Sequence, residues 1–153
     1  MFIEQRRLET EIEPNAIYTI FARIGGKQGW YYADWLWKLR FWLDKLAGGV
    51  GIRQDQRRMG EIQPGDILDG FIVELVETGR LIRLRNEMKA PGPAWMQFEV
   101  QRSDTEKTLF IQTAFFEPHG LMGLAYWYGL YPFHQLIFRG MARAILHRAE
   151  IEN

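Results

Sequence analysis

The sequence predicts an α+β domain in which a curved antiparallel sheet wraps around one long C-terminal helix, with two short helices after the first strand. Three observations carry that expectation. Two apolar stripes at helical spacing follow an alternating opening segment, four short alternating segments separated by turn signals fill the middle, and a long helical pattern runs from about Leu121 to Glu150.

The opening segment, Phe2 to Ile12, alternates well enough to be a strand, although polar residues dominate it. Pro14 and Asn15 mark the change to a helix, with Asn15 as an N-cap and Ile17, Ile20, Phe21 and Ile24 as its buried stripe. Gly25 and Gly26 end it. The second helix, about Tyr32 to Leu46, lies in "GWYYADWLWKLRFWLDKL", which holds four Trp and three Tyr or Phe between Gly29 and Leu46. Tyr32, Trp35, Leu36, Leu39, Trp42, Leu43 and Leu46 fall on one broad face, and Asp34, Lys38 and Lys45 on the other, with Trp37 and Phe41 on the border. Gly48 and Gly49 then break the helix.

Beyond a polar, basic stretch from Gly51 to Arg58, Pro64 and Gly65 announce a turn. Asp66 to Glu77, Arg80 to Lys89, Trp95 to Arg102 and Lys107 to Glu117 read as four strands whose short connections make the meander antiparallel. Ile82, Leu84, Asn86 and Met88 share one face of the second of these, opposite Arg83, Arg85, Glu87 and Lys89. In the last helix Pro132 removes a backbone donor and should bend the chain near Tyr128 to Tyr131. Arg139, Arg143 and His147 form its wet stripe, against Ile137, Phe138, Met141, Ile145 and Leu146.

Composition narrows the function. A chain of 153 residues is most simply one domain, residues 1–153, and buries roughly 68–70% of its unfolded surface. Lys plus Arg and Asp plus Glu number 19 each, so there is no positive field to attract phosphates, and nucleic acid is not an expected partner. The absence of cysteine excludes a disulfide framework, a zinc ribbon and a thiol nucleophile. No apolar leader follows the charged "MFIEQRRLETEIEP", and a cytoplasmic location is expected. From Gly120 to Phe138 only the weak base His134 is ionisable at neutral pH, but Tyr126, Trp127, Tyr128 and Tyr131 sit mid-segment and Pro132 interrupts it, so no transmembrane span is expected. His119, His134 and His147 are too scattered for a metal motif, and no metal or cofactor is expected.

Three segments, "IGGKQGWYYADWLWKLRFWLDKLAGGVG", "EMKAPGPAWMQFEV" and "QTAFFEPHGLMGLAYWYGLYPFHQLIFRGM", resemble the signature segments of a bacterial family of domains of unknown function, over about Ile12 to Glu150. In that family the domain occurs alone or C-terminal to an NAD(P)-binding, short-chain-dehydrogenase-like region. The resemblance implies a helix-grip fold of the START and polyketide-cyclase-like superfamily and supplies no catalytic residues. No glycine-rich nucleotide fingerprint stands between an opening strand and helix, and Gly25-Gly26-Lys27 lacks P-loop spacing.

A sheet gripping a helix leaves room for a hydrophobic small molecule, lipid-like or aromatic. The expected lining is Trp35, Leu39, Trp42, Met88, Phe98, Tyr126, Trp127 and Tyr131, with Asn86 and His134 supplying polarity. Each aromatic has a plain alternative as core packing, Asn86 as a loop-bonding amide, and His134 as a satisfied core imidazole. An enzyme of the cyclase, dehydratase or isomerase kind would pair His134, the weak catalytic candidate, with a carboxylate such as Asp34 or Glu87. Arg40 and Asp44 would pair and hold the rim of the aromatic helix or simply be solvated, and Arg53, Arg57 and Arg58 would clamp an anion at the mouth or decorate the surface. A third reading makes the chain, as monomer or homodimer, an interaction module for a separate NAD(P)-dependent oxidoreductase.

Overall fold

The computed structural model describes residues 1–24, 30–32, 34–49 and 62–152. Its elements run β1 (Phe2–Thr10), α1 (Pro14–Phe21), α2 (Asp34–Leu46), β2 (Ile67–Leu68), β3 (Phe71–Glu77), β4 (Leu81–Asn86), β5 (Ala94–Arg102), β6 (Thr108–Phe116) and α3 (Gly120–Glu152). The six strands form one antiparallel sheet in the order β1-β6-β5-β4-β3-β2. It is the helix-grip arrangement, with the long α3 held by the curved sheet and two short helices after the first strand.

Strand boundaries follow the alternation, with one division. The expected strand from Asp66 to Glu77 is two, because Asp69 turns at φ 54° between β2 and β3. A register shift between Val73 and Leu75 adds a bulge where β3 meets β4. β1 pairs with β6 over its whole length, from Phe2 opposite Phe116 to Thr10 opposite Thr108. That register turns Glu4 and Arg6 to the more buried face of an otherwise ordinary edge strand, beside Ala114 and Gln112.

α1 starts one residue before the expected cap. Glu13 is the N-cap residue and Pro14 occupies the first turn, where its missing N–H is no loss. Ile17, Ile20 and Phe21 then face inward as their spacing requires. α2 ends in a Schellman motif: Gly48 N–H donates to the Lys45 carbonyl at 3.0 Å and Gly49 N–H to the Asp44 carbonyl at 2.8 Å, with Gly48 at φ 89°. α3 continues as a helix through Pro132, which lies on the exposed side with Tyr128.

The grip is solid at one end and hollow at the other. At the solid end α1 packs against α3, β5 and β6, and Phe98 stacks with Phe21 at 5.7 Å and with Phe110 at 6.5 Å. Met141, Ala142, Ile145 and Ala149 of α3 are buried there. At the other end, formed by the start of β5, the end of β6 and α2, the first half of α3 buries only Gly123 and Trp127.

Candidate functional site

An apolar cavity of about 200 Å³ occupies the hollow end. α2 contributes Leu36, Trp37 and Arg40; the sheet contributes Phe71, Asn86, Met96, Ala114 and Phe116, with Met88 just past β4; α3 contributes Tyr126, Trp127, Leu130, His134, Ile137 and Phe138. Tyr126, Leu130 and His134 recur every fourth residue, so one stripe of α3 forms its wall. Trp127 is a partition. Its indole stacks on Phe2, at 5.2 Å, and on Phe116, at 5.8 Å, and it also borders an open groove of about 350 Å³ that takes in Glu4, Arg6, Tyr131 and Gln135.

Of the ten residues expected to line a cavity, five stand in this wall: Asn86, Met88, Tyr126, Trp127 and His134. Trp35, Leu39 and Trp42 do not, and correct the reading of α2. They are 68%, 43% and 56% exposed, while Trp37, Phe41 and Asp44 are the buried residues of that helix. The reason is physical. α2 carries large apolar residues nearly all round, and the inward stripe is interrupted by a buried charge, Asp44, which makes it look like the wrong side. Trp37 stacks on Trp30 at 4.9 Å and lies 6.1 Å from Phe41, and Trp30 in turn donates its indole N–H to Asp69 at 3.0 Å. Phe98 is fully buried in the solid end, too far down β5 to reach the cavity. Tyr131 faces the groove, where its hydroxyl accepts the Gln135 amide proton at 2.6 Å.

The polar residues of the wall divide into engaged and unengaged. Asn86 closes a small ring on the chain itself, donating to the Met88 carbonyl and accepting the Met88 N–H, both at 3.1 Å. Arg40 donates to the Lys89 carbonyl at 2.9 Å and reaches the Tyr126 hydroxyl at 3.5 Å. Asp44 is not a rim residue. Its carboxylate is buried, accepts the Lys89 N–H at 2.6 Å and stands 3.9 Å from Arg40. In contrast, the Trp37 indole N–H and His134 Nδ1 are buried with no hydrogen-bond partner among the described residues. Burial, and secondly the nearby Arg40 guanidinium, lower the His134 pKa to about 4, so its imidazole is neutral at physiological pH.

Among the described residues no acidic side chain lines the cavity. Asp34, at the start of α2, accepts the N–H of Trp30 in the preceding segment at 2.7 Å, and Glu87 lies 3.7 Å from Arg85; neither carboxylate expected to assist His134 stands in the wall. Arg53, Arg57 and Arg58 lie outside the described residues.

Sequence reasoning missed a second polar cluster behind Phe138. Glu4 and Arg6 form a half-buried pair at 3.4 Å, and Arg6 donates to the Gln135 side chain at 3.0 Å. Glu4 Oε2 and Gln112 Oε1 are buried and unpaired beside a void of about 10 Å³. Burial raises the Glu4 carboxyl above the usual range against the opposing influence of Arg6. The signal was present in the register: Glu4 and Arg6 share the parity of Phe2 and Leu8. Among the described residues no three ligating side chains converge as a metal site, and no helix is long and apolar enough to cross a membrane.

Solved structures with this architecture include norcoclaurine synthase from Thalictrum flavum, at 14% identity over 98% of this chain and 85% of that one, with a TM-score of 0.57. The Zhui aromatase/cyclase from Streptomyces sp. R1128 matches at 12% identity over 97% and 93%, with a TM-score of 0.57. A START superfamily protein from Mycobacterium smegmatis matches at 11% identity over 99% of both chains, with a TM-score of 0.58. At such identities the likeness is one of fold. No curated protein matches the chain in sequence. The family model for the protein of unknown function DUF2867 matches residues 1–141, nearly the whole chain, and the protein, a helix-grip fold, therefore belongs to the DUF2867 family.

Proposed function

We propose that this protein binds a hydrophobic small molecule in the cavity at the hollow end of the grip. The observation that carries the reading is the cavity itself: aromatic and aliphatic walls on three sides, with few polar groups, are the usual composition of a site for an apolar ligand. Trp127 separates it from the open groove, so its removal would join the two.

The test is mass spectrometry of small molecules extracted from the purified protein and from Trp127→Ala prepared in parallel. A molecule retained stoichiometrically by the parent and lost from the variant supports the reading. Empty protein, together with an unchanged melting temperature across a panel of small aromatics and lipids, counts against it.

An acid–base enzyme on the same cavity is the alternative that two relatives, named as a synthase and an aromatase/cyclase, bring to mind. It needs a titratable partner for His134, and among the described residues the wall offers no carboxylate. One observation favours a further reading, docking onto a separate NAD(P)-dependent oxidoreductase: the outward side of α2 presents Trp35, Leu39, Trp42, Leu43 and Leu46 together. A photo-crosslinking residue placed at position 35 would capture such a partner, and its failure to do so with the purified oxidoreductase would remove that reading.

A further inference from the structure

We propose that the cavity takes a compact apolar acid, its ring among the aromatic walls and its carboxylate against the Arg40 guanidinium and the Trp37 indole N–H. This specifies the ligand of the site proposed above and rests on that reading.

Size sets the first limit. A dry apolar cavity of about 150 Å³ is enough for benzene, whereas drug-sized ligands occupy about 300–1,000 Å³. At about 200 Å³ the space fits one ring with a short substituent, and excludes a long acyl chain or a fused polycycle held entirely inside.

Polarity sets the second. Among the described residues the wall holds one formal cation, Arg40, and no anion. The Trp37 indole nitrogen is a donor only, it is buried, and no described residue accepts from it. An unmet buried donor is costly, and an oxygen of the bound molecule would remove that cost. Trp37 and Arg40 stand three residues apart on α2, so their side chains are neighbours on one side of the helix.

Availability sets the third. Arg40 is held in place by the Lys89 carbonyl at 2.9 Å and pairs loosely with Asp44 at 3.9 Å, and a guanidinium with five N–H donors keeps some of them for a ligand oxygen. The Asn86 amide, otherwise a competitor for the same oxygen, is closed onto Met88. A carboxylate is the group that uses a fixed guanidinium and a fixed N–H together.

The experiment is fluorine NMR titration of the full chain with 4-fluorobenzoate, 4-fluorobenzamide and 4-fluorotoluene, three probes of one shape. The expected result is benzoate binding at least about tenfold tighter than either neutral probe. Trp37→Phe should weaken benzoate about fivefold or more and leave fluorotoluene within about twofold, because the ring stays and the donor goes. Arg40→Gln should erase the preference, and Arg40→Lys should restore part of it; circular dichroism and melting of each variant show that the fold is retained. Binding of fluorotoluene or fluorobenzamide as tight as benzoate, or an undiminished preference in Arg40→Gln, overturns the acid while leaving a hydrophobic site. Binding of none of the three overturns the cavity reading as well.

Discussion

Asp44, at the buried end of α2, accepts the backbone N–H of Lys89 at 2.6 Å, and so ties the last turn of the aromatic helix to the loop between β4 and β5. Arg40, one turn earlier, takes the carbonyl of the same residue at 2.9 Å. One residue of the loop is thus gripped on both its backbone groups, and its neighbours Met88 and Ala90 line the cavity.

Removing the carboxylate should therefore destabilise the fold and loosen the site together. Asp44→Ala leaves the Lys89 N–H without its acceptor and should cost about 1–3 kcal/mol. In a chain of this size that corresponds to a melting temperature lower by about 2–4 °C per kcal/mol. Asp44→Asn, which keeps one acceptor oxygen, should lose less. Thermal unfolding of the three proteins side by side is the check.

The two sides of α2 should respond in opposite ways to substitution. Trp37→Ala empties a buried site stacked on Trp30 and should cost about 3–5 kcal/mol. Trp35→Gln and Trp42→Gln alter exposed rings and should stay within about 0.5 kcal/mol of the parent. Urea denaturation separates these outcomes. A large loss at position 35 or 42, with little at 37, would mean that α2 is turned the other way.

Gly140 of α3 has no room for a side chain, since a Cβ there would run into the ring of Tyr32. Gly140→Ala should cost about 1–3 kcal/mol through this overlap, even though alanine is the better helix former. Tyr32→Ala in the same chain should recover part of the loss, a coupling that a double-mutant cycle measures directly.

Acid should weaken the fold through His134. With a folded pKa of about 4 against 6.5 in the open chain, the unfolded state takes up a proton that the folded state refuses. Stability therefore falls as pH drops from about 6.5 to about 4, by up to about 3 kcal/mol. Glu4 acts in the other direction: its raised folded pKa means that stability is lost as pH rises from 4.5 through that raised value. His134→Gln should flatten the acid limb, and Glu4→Gln should remove the loss above pH 4.5. Denaturation at stepped pH distinguishes the two.

Where local chemistry and tertiary environment agreed, the sequence was legible. The α1 stripe, the alternation of Ile82, Leu84 and Asn86, the turn residues of the meander and the breaker at Gly48 all behaved as their spacing required. α2 was misread because hydrophobicity there carries almost no phase information, and the decisive inward residue is a carboxylate whose partner lies 45 residues away. Tyr126, Trp127 and His134, expected on α3 from its run of aromatic residues, stand in the cavity wall. Phe98 was misplaced for another reason: alternation tells which face of the sheet a residue takes, but not how far along the strand the filled part of the core extends.

The hollow end gives α3 two mechanical characters. Its C-terminal half is an anchor, fixed by Met141, Ile145 and the phenylalanine stack beneath them. Its N-terminal half, with Leu121, Met122, Tyr128 and Phe133 largely exposed, is held by fewer buried residues, Gly123 and Trp127, with Tyr126 against Phe116, and Pro132 supplies no N–H to the Tyr128 carbonyl at the junction. Opening free energy therefore rises along a single helix, and amide exchange should be fast before Pro132 and slow after Met141. A helix with that exchange pattern would act as its own hinge, and access to the cavity would then be a local event, separable from global stability.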